Sequence, residues 1–244
     1  PRSSAYRAGI TAAAYAICTN TARNCAGGAA PWRTWLTCEE VAGGSVWECD
    51  PTGAAPAVRR PALGTFQHEA VAAARDGRLY LTEDQPDGRF YRFTPTVRGR
   101  LDAGTLEVAT VENGAVRWSP VPNPNPTIGL DTPTREQVPT STPFNGGEGI
   151  ATFRRHVYFA TKGDDRIWDY EPGAERLAVL YDAALDPAHQ LTGVDNVAVS
   201  RSGDAFVAED PGNLELVMLT PGGIAAPLLR VVGQNGSELA GPAF

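Results

Sequence analysis

Lysine is almost missing from this chain: Lys162 is the only one among 21 basic residues, which face 28 acids for a net charge of −7. That balance argues against a nucleic-acid partner and leaves an excess of acid able to hold cations. No apolar run reaches the length of about 18 residues that a membrane-spanning helix needs. No secretory signal is visible: Arg2 and Arg7 precede only a short Ala-rich run, so the chain is expected to begin after a processed segment. A Gly-Lys-Ser/Thr phosphate loop, a serine nucleophile elbow and a dinucleotide fingerprint are all absent, which excludes nucleotide-dependent chemistry of those kinds. Cysteine is confined to the first fifth of the chain, at Cys18, Cys25, Cys38 and Cys49, and no spacing matches a zinc ribbon. One disulfide is compatible with those positions, from Cys18 to Cys25 or to Cys49. Helix signals are scarce, and residues 7–17 and 174–185 are the only candidates.

What is present is a globular composition, 42% hydrophobic and 20% charged, in 244 residues. That length suffices for one sizeable all-β domain. An internal repeat gives the architecture. The segment from Glu69 through Gly77 to Glu83-Asp84 matches the segment from Asp195 through Gly203 to Glu209-Asp210 without a gap, at an offset of 126 residues. Each reads as strand, tight glycine turn, strand. A third strand follows in each, over 89–93 and 214–219. Weaker copies run from Glu148 to Tyr170 and from Trp32 to Cys49. Repeated units of short strands predict an all-β fold, a β-propeller, expected to be six-bladed when complete with about five blades in this chain. We expect one domain over residues 1–244, incomplete at its C-terminus, where Gly241-Pro242-Ala243-Phe244 reads as the first strand of a further blade. Residues 120–143, rich in Pro, Thr and Asn, read as a long connection between blades.

The repeat also locates chemistry. Equivalent positions of successive blades converge on a propeller axis. Glu69, Glu148 and Asp195 share one such position; Glu83 and Glu209 share a second; Cys38-Glu39 ends a comparable strand. Carboxylates crowded around one axis repel unless cations neutralise them. Thiolate beside carboxylates suits iron, and an amide carbonyl such as that of Asn196 beside a carboxylate suits calcium. The competing readings are a buried inert Cys38 and solvated acidic turns. His68 is a candidate ligand or proton shuttle but more often such a histidine is structural, and His156 and His189 lack supporting context. Arg89, Arg92 and Lys162 follow the acidic strand ends and are candidate contacts for an anionic substrate.

Several of these motifs together resemble the PhoX family of bacterial alkaline phosphatases: Asn24-Cys-Ala-Gly-Gly28, Trp35-Leu-Thr-Cys-Glu-Glu40, Leu63 to Ala70, Tyr80 to Asp84, Phe144 to Gly149, Asp195-Asn196 and Glu209-Asp210. The resemblance implies a six-bladed, exported propeller that hydrolyses phosphate monoesters with two ferric ions (Fe3+) and several calcium ions (Ca2+). It implies that Cys38 and Glu39 bind iron and that Glu69, Glu148, Asp195, Asn196 and Glu209 supply other metal contacts; Glu83 joins the candidate ligands as the repeat partner of Glu209. It further implies a periplasmic or secreted protein acting on a small phosphorylated or other anionic substrate; the sequence leaves the oligomeric state open, with a monomer favoured. One departure stands out: the phosphatase branch commonly carries a phosphate-contacting arginine two residues before the position of Glu148, and here that residue is Gly146. Two other readings remain open. Asp195-Asn196 with its glycine turn also resembles gluconolactonase-type propellers, in which one divalent ion polarises an ester. A propeller that only binds a partner, with structural calcium, is the other.

Overall fold

The computed structural model describes residues 2–3, 6–7, 10–11, 14–210, 213–234 and 236–242. Its first residues form two small pairs. Strand β1 (Arg2–Ser3) pairs with β4 (Tyr15–Ala16), and β2 (Tyr6–Arg7) with β3 (Ile10–Thr11). Four antiparallel blades follow. The first is β5 (Asn24–Ala29), β6 (Trp35–Glu39), β7 (Val46–Cys49) and β8 (Val58–Arg59). The second is β9 (His68–Ala73), β10 (Leu79–Glu83), β11 (Phe90–Val97), β12 (Arg100–Glu112) and β13 (Ala115–Pro120). The third is β14 (Gly147–Phe153), β15 (His156–Thr161), β16 (Arg166–Glu171) and β17 (Arg176–Asp182). The fourth is β18 (Val194–Val199), β19 (Ala205–Glu209), β20 (Glu215–Leu219) and β21 (Ala225–Arg230). The second and third blades join at their outer rims, where Ala115 of β13 pairs with Arg176 of β17.

The β-propeller expectation therefore holds, with four blades among the described residues rather than about five. Gly241 and Pro242 lie in no strand, and Ala243 and Phe244 are outside the described residues. Neither candidate helix forms among the described residues. In 7–17, Tyr15–Ala16 is strand, and residues 8, 9, 12 and 13 lie outside the described residues. In 174–185, β17 pairs along β16, and only the 3-10 turn Ala183–Leu185 is helical. Pairing with a neighbouring strand satisfies the whole backbone ladder, which outweighs a weak local helix preference.

The core lies in layers between blades. Leu36, Leu63, Phe66, Leu81, Tyr91 and Phe93 fill the space between the first two. Tyr80, Phe90, Phe144, Phe159 and Tyr170 fill the next, with Phe90 stacked on Phe159 at 4.4 Å. Each fully buried ring stabilises the fold by roughly 1.5–3 kcal/mol. Ile167, Leu191, Val194, Val207 and Val217 form the third layer. The innermost strands approach so closely that side chains must be omitted. A Cβ on Gly28 of β5 would lie 2.1 Å from the Val71 carbonyl oxygen of β9, and one on Gly149 of β14 would lie 2.5 Å from Asn196 Cα of β18. Residues 121–146 connect the rim of the second blade to the innermost strand of the third. Thr134 Oγ1 donates to Thr65 O at 2.8 Å, and Phe144 N donates to Gly88 O at 2.8 Å, which holds this connection against the second blade.

Candidate metal centre

One backbone irregularity, repeated four times, builds the site. At the start of each innermost strand a residue pairs with the end of the second strand: Asn24 with Glu39, His68 with Glu83, Gly147 with Thr161, Val194 with Glu209. The register then shifts. Two residues of the innermost strand face one on its partner, which is a β-bulge. The bulged pairs are Cys25-Ala26, Glu69-Ala70, Glu148-Gly149 and Asp195-Asn196. The single residues opposite are Cys38, Thr82, Ala160 and Ala208. A bulge re-aims a side chain, and here it re-aims the first residue of each pair toward the axis. Ligand atoms of Glu69, Glu148 and Asp195 all lie within 4.8 Å of one another, as do those of Cys25, Glu40 and Glu69, and those of Asp195, Asp210 and Glu238.

The electrostatics of this cluster are unfavourable as protein alone. Glu69 is pushed up to about 8, first by burial and then by Asp195, Glu40 and Asp84, while a hydrogen bond with Cys25 opposes this. Its Oε1 is buried without a hydrogen-bond partner. Glu148 is pushed up to about 10 by burial, Glu69, Asp195 and Asp84, with Lys162 opposing. Asp195 rises to about 6, chiefly through burial. Desolvation of the Cys25 thiol, then the charge of Glu69, holds it protonated well above the usual thiol range. The chain relieves this crowding in one place. Lys162 Nζ lies 2.8 Å from Asp210 Oδ2 and 4.0 Å from Glu148 Oε1. Backbone bonds from Lys162 N to Gly146 O (2.8 Å) and from Gly163 N to Asn145 O (3.0 Å) fix the turn that carries it. The donor set fits a mixed centre: a thiol and carboxylates for iron, carboxylates for calcium, and one orphaned carboxylate oxygen aimed among them.

The structure thus brings together Glu69, Glu148, Asp195 and Lys162 from the expected residues. It also brings in Glu40, Asp84 and Asp210, the acids that directly follow Glu39, Glu83 and Glu209, and adds Cys25 and Glu238, which the sequence reading passed over as ligands. It does not bring in Cys38. That thiol is the residue opposite the first bulge, fully buried among the apolar side chains between the first two blades. Glu39 spends its carboxylate on backbone: Oε1 accepts from Ala22 N and Oε2 from Ser45 N, both at 3.0 Å. Glu209 does the same with Thr192 N and Glu215 N, both at 2.9 Å. Glu83 Oε2 accepts from Tyr91 OH at 2.8 Å, and Arg135 stands 3.6 Å from its other oxygen. Asn196 turns its amide to Val197 N and Ala240 O. His68 is wholly buried, held neutral by burial at about 3, and donates from Nε2 to Gly64 O. Arg89 binds Ser141 Oγ and nearby carbonyls. Arg92 pairs with Glu107 and Glu175 over the Trp118 ring, in the rim between the second and third blades. Of the three candidate anion contacts, only Lys162 reaches the cluster. Gln67 bridges Glu40 Oε1 (3.3 Å) and Asp84 Oδ2 (3.4 Å) at its edge.

Below the cluster the innermost strands line a cavity of about 490 Å3 that includes Cys25, Val71, Ile150, Asn196 and residues 240–242. Fold and site together define a β-propeller with a thiol-carboxylate centre on its axis. The chain belongs to the PhoX alkaline phosphatase family: residues 6–53 and 42–176 match the family model described as Alkaline phosphatase PhoX. Among solved structures, it is similar to Pseudomonas fluorescens PhoX in complex with vanadate, a transition state analogue, with TM-score 0.69 and 17% identity over 85% of this chain and 60% of that one. The chain therefore spans 60% of that protein's length. YCF48 from Cyanidioschyzon merolae aligns with TM-score 0.51 at 12% identity, over 90% of this chain and 60% of that one. A chain of the Nidogen/Laminin complex aligns with TM-score 0.50 at 11% identity, over 96% and 90%. At such identities the structural likeness shows the propeller fold. No curated protein sequence matches the chain. No helix among the described residues is long and apolar enough to cross a membrane.

Proposed function

We propose that this chain carries the metal centre of a phosphate monoester hydrolase, loaded with two ferric ions and several calcium ions. The observation that carries the reading is the convergence of Cys25, Glu69, Glu148 and Asp195 at four equivalent bulges on one axis. Iron falls to Cys25 with Glu69 and Glu40, because thiolate is the soft donor of the set. Calcium falls to Glu148, Asp195 and the outer acids Asp84, Asp210 and Glu238. When bound, these metals act as Lewis acids toward phosphoryl oxygens and neutralise charge that develops there.

The chain's own residues supply the rest. The innermost strands hold the carboxylates rigidly, and Gly146, at φ +68°, lies tight against the turn that carries Lys162, where an added Cβ would meet Gly163 N at 3.3 Å and Lys162 Cβ at 3.8 Å. Lys162 is about a third exposed at the mouth of the cluster, so its ammonium contacts a phosphoryl group entering from solvent. It is a point charge on a flexible stem, and it does not give the bidentate grip of an arginine. The same reading carries a periplasmic or secreted destination, checked by fractionating cells that express the tagged protein.

The test is elemental analysis of protein purified without chelator, with a visible spectrum and a phosphate-release assay on the same sample. Near two equivalents of iron, calcium, a visible absorption band and release of phosphate from a monoester support the reading. Calcium alone in a colourless sample that releases no phosphate overturns it.

A further inference from the structure

We infer that Cys18 and Cys49 form a disulfide that ties the N-terminal segment to the first blade and keeps Cys25 free for the metal centre. The two residues share a small apolar cluster with Ile17, packed by Tyr15, Trp47 and Ala57. Both are buried, and the Cys49 thiol is in hydrogen-bond contact with Cys18. Register separates this pair from the other thiols. Cys49 pairs with Trp35 at one end of β6, whereas Asn24, next to Cys25, pairs with Glu39 at the other end. At ~3.3 Å per residue the length of β6 puts these ends roughly 13 Å apart, beyond the ~7 Å Cα separation that a disulfide tolerates. Cys38 belongs to a different apolar layer, between the first two blades. Cys25 faces the axial cavity and hydrogen-bonds Glu69. Of the two pairings open to Cys18 from spacing, the fold selects Cys49.

The step is an ordinary thiol–disulfide exchange. The Cys18 and Cys49 thiols are oxidised, one S–S bond forms, and two electrons and two protons pass to oxidised glutathione, which becomes two reduced glutathione molecules. Burial slows attack on the native state, so the bond forms during folding or when the short β1–β4 pair opens. The closed loop of about 30 residues restrains the unfolded chain. The Cys18–Cys49 pairing does not depend on the phosphatase reading; only the role given to the free Cys25 rests on it.

The experiment is to refold the full chain in a mixture of reduced and oxidised glutathione, alkylate remaining thiols under denaturing conditions, and map peptides without reduction. Cleavage after both arginine and glutamate puts each cysteine on its own fragment, through Arg23, Arg33, Glu39 and Glu48. The expected result is one crosslinked pair, Cys18 with Cys49, and alkylated Cys25 and Cys38. The linked protein should melt on the order of 10 °C higher than the same protein in dithiothreitol, measured in calcium buffer. Full alkylation of all four cysteines after oxidation, or a crosslink that includes Cys25, overturns the inference.

Discussion

Two rings of acid stand one residue apart in this propeller and meet opposite fates. Of the residues on the second strands, Glu39 and Glu209 have both carboxylate oxygens bonded to backbone amides, while Glu83 bonds Tyr91 through one oxygen and leaves the other buried with only Arg135 near it, at 3.6 Å. These bonds tie each acid into its own blade. The residues on the innermost strands, Cys25, Glu69, Glu148 and Asp195, face one another across the axis with one lysine between them. The difference is geometric. A bulge turns the second set inward, where its members meet one another and Lys162, and the hydrogen bond of Glu69 with Cys25 does not offset burial and mutual repulsion. Buried polar groups are ordinarily paired, so a ring left short of partners marks a place kept for something else.

That contrast can be broken from either side. The largest expected effect is on activity. Glu69→Gln and Glu148→Gln should each lower phosphate release by roughly 10²–10⁴-fold, because each removes a carboxylate from the metal set. The chelated proteins should fold and, above pH 8, melt no lower than wild type, because glutamine cannot acquire the buried charge that penalises each glutamate as pH rises; a variant that fails to fold would contradict the repulsion argument.

A second effect appears with pH. The inner carboxylates are pushed up to about 8, 10 and 6 for Glu69, Glu148 and Asp195. With folded values above unfolded ones, the native state holds more protons, and their contribution is fully present below about pH 4. It is lost progressively as pH rises through those values. Chelated protein should therefore melt lower at pH 9 than at pH 5. Calcium should shrink the difference by favouring the charged form. Equal melting temperatures at both pH values in chelator would count against the buried charge cluster.

Neutralising the outer ring should instead cost stability and spare the metals. Glu209→Gln weakens two charge-assisted bonds to Thr192 N and Glu215 N, and should destabilise the protein by about 1–3 kcal/mol in denaturant titrations. Metal content should stay at the wild-type level. Loss of metal in this variant would merge the two rings into one site. The smallest effect belongs to Lys162→Ala, which should raise KM for a phosphate monoester about tenfold, near 1.4 kcal/mol, with metal content unchanged. Lys162→Arg should restore part of the loss. An unchanged KM would remove Lys162 from substrate contact.

Much of this was legible in the chain. The ungapped match at an offset of 126 residues put Glu69 with Asp195 and Glu83 with Glu209 in their true registers, and Glu148 joined them correctly. The first blade was misread by one strand. Its innermost strand, Asn-Cys-Ala-Gly-Gly-Ala, carries two glycines and little β propensity. It reads as a lead-in to the apolar run over 35–39, so Cys38 took the place that belongs to Cys25. The signal that would have corrected this was present: Asn24-Cys25 stands before its hairpin as His68-Glu69 stands before its own. Glycine at Gly28 is there for the close approach to Val71, a contact between blades that local pattern does not show. The failed helix over 174–185 has the same root, since β17 is fixed by pairing with β16.

The most direct test of the account compares the visible spectrum and iron content of Cys25→Ser and Cys38→Ser, each purified without chelator. If the bulge places the metal centre, Cys25→Ser loses the absorption band and its iron, while Cys38→Ser keeps both and loses only stability. A colourless Cys38→Ser beside a coloured Cys25→Ser would contradict the assignment of the inner ring.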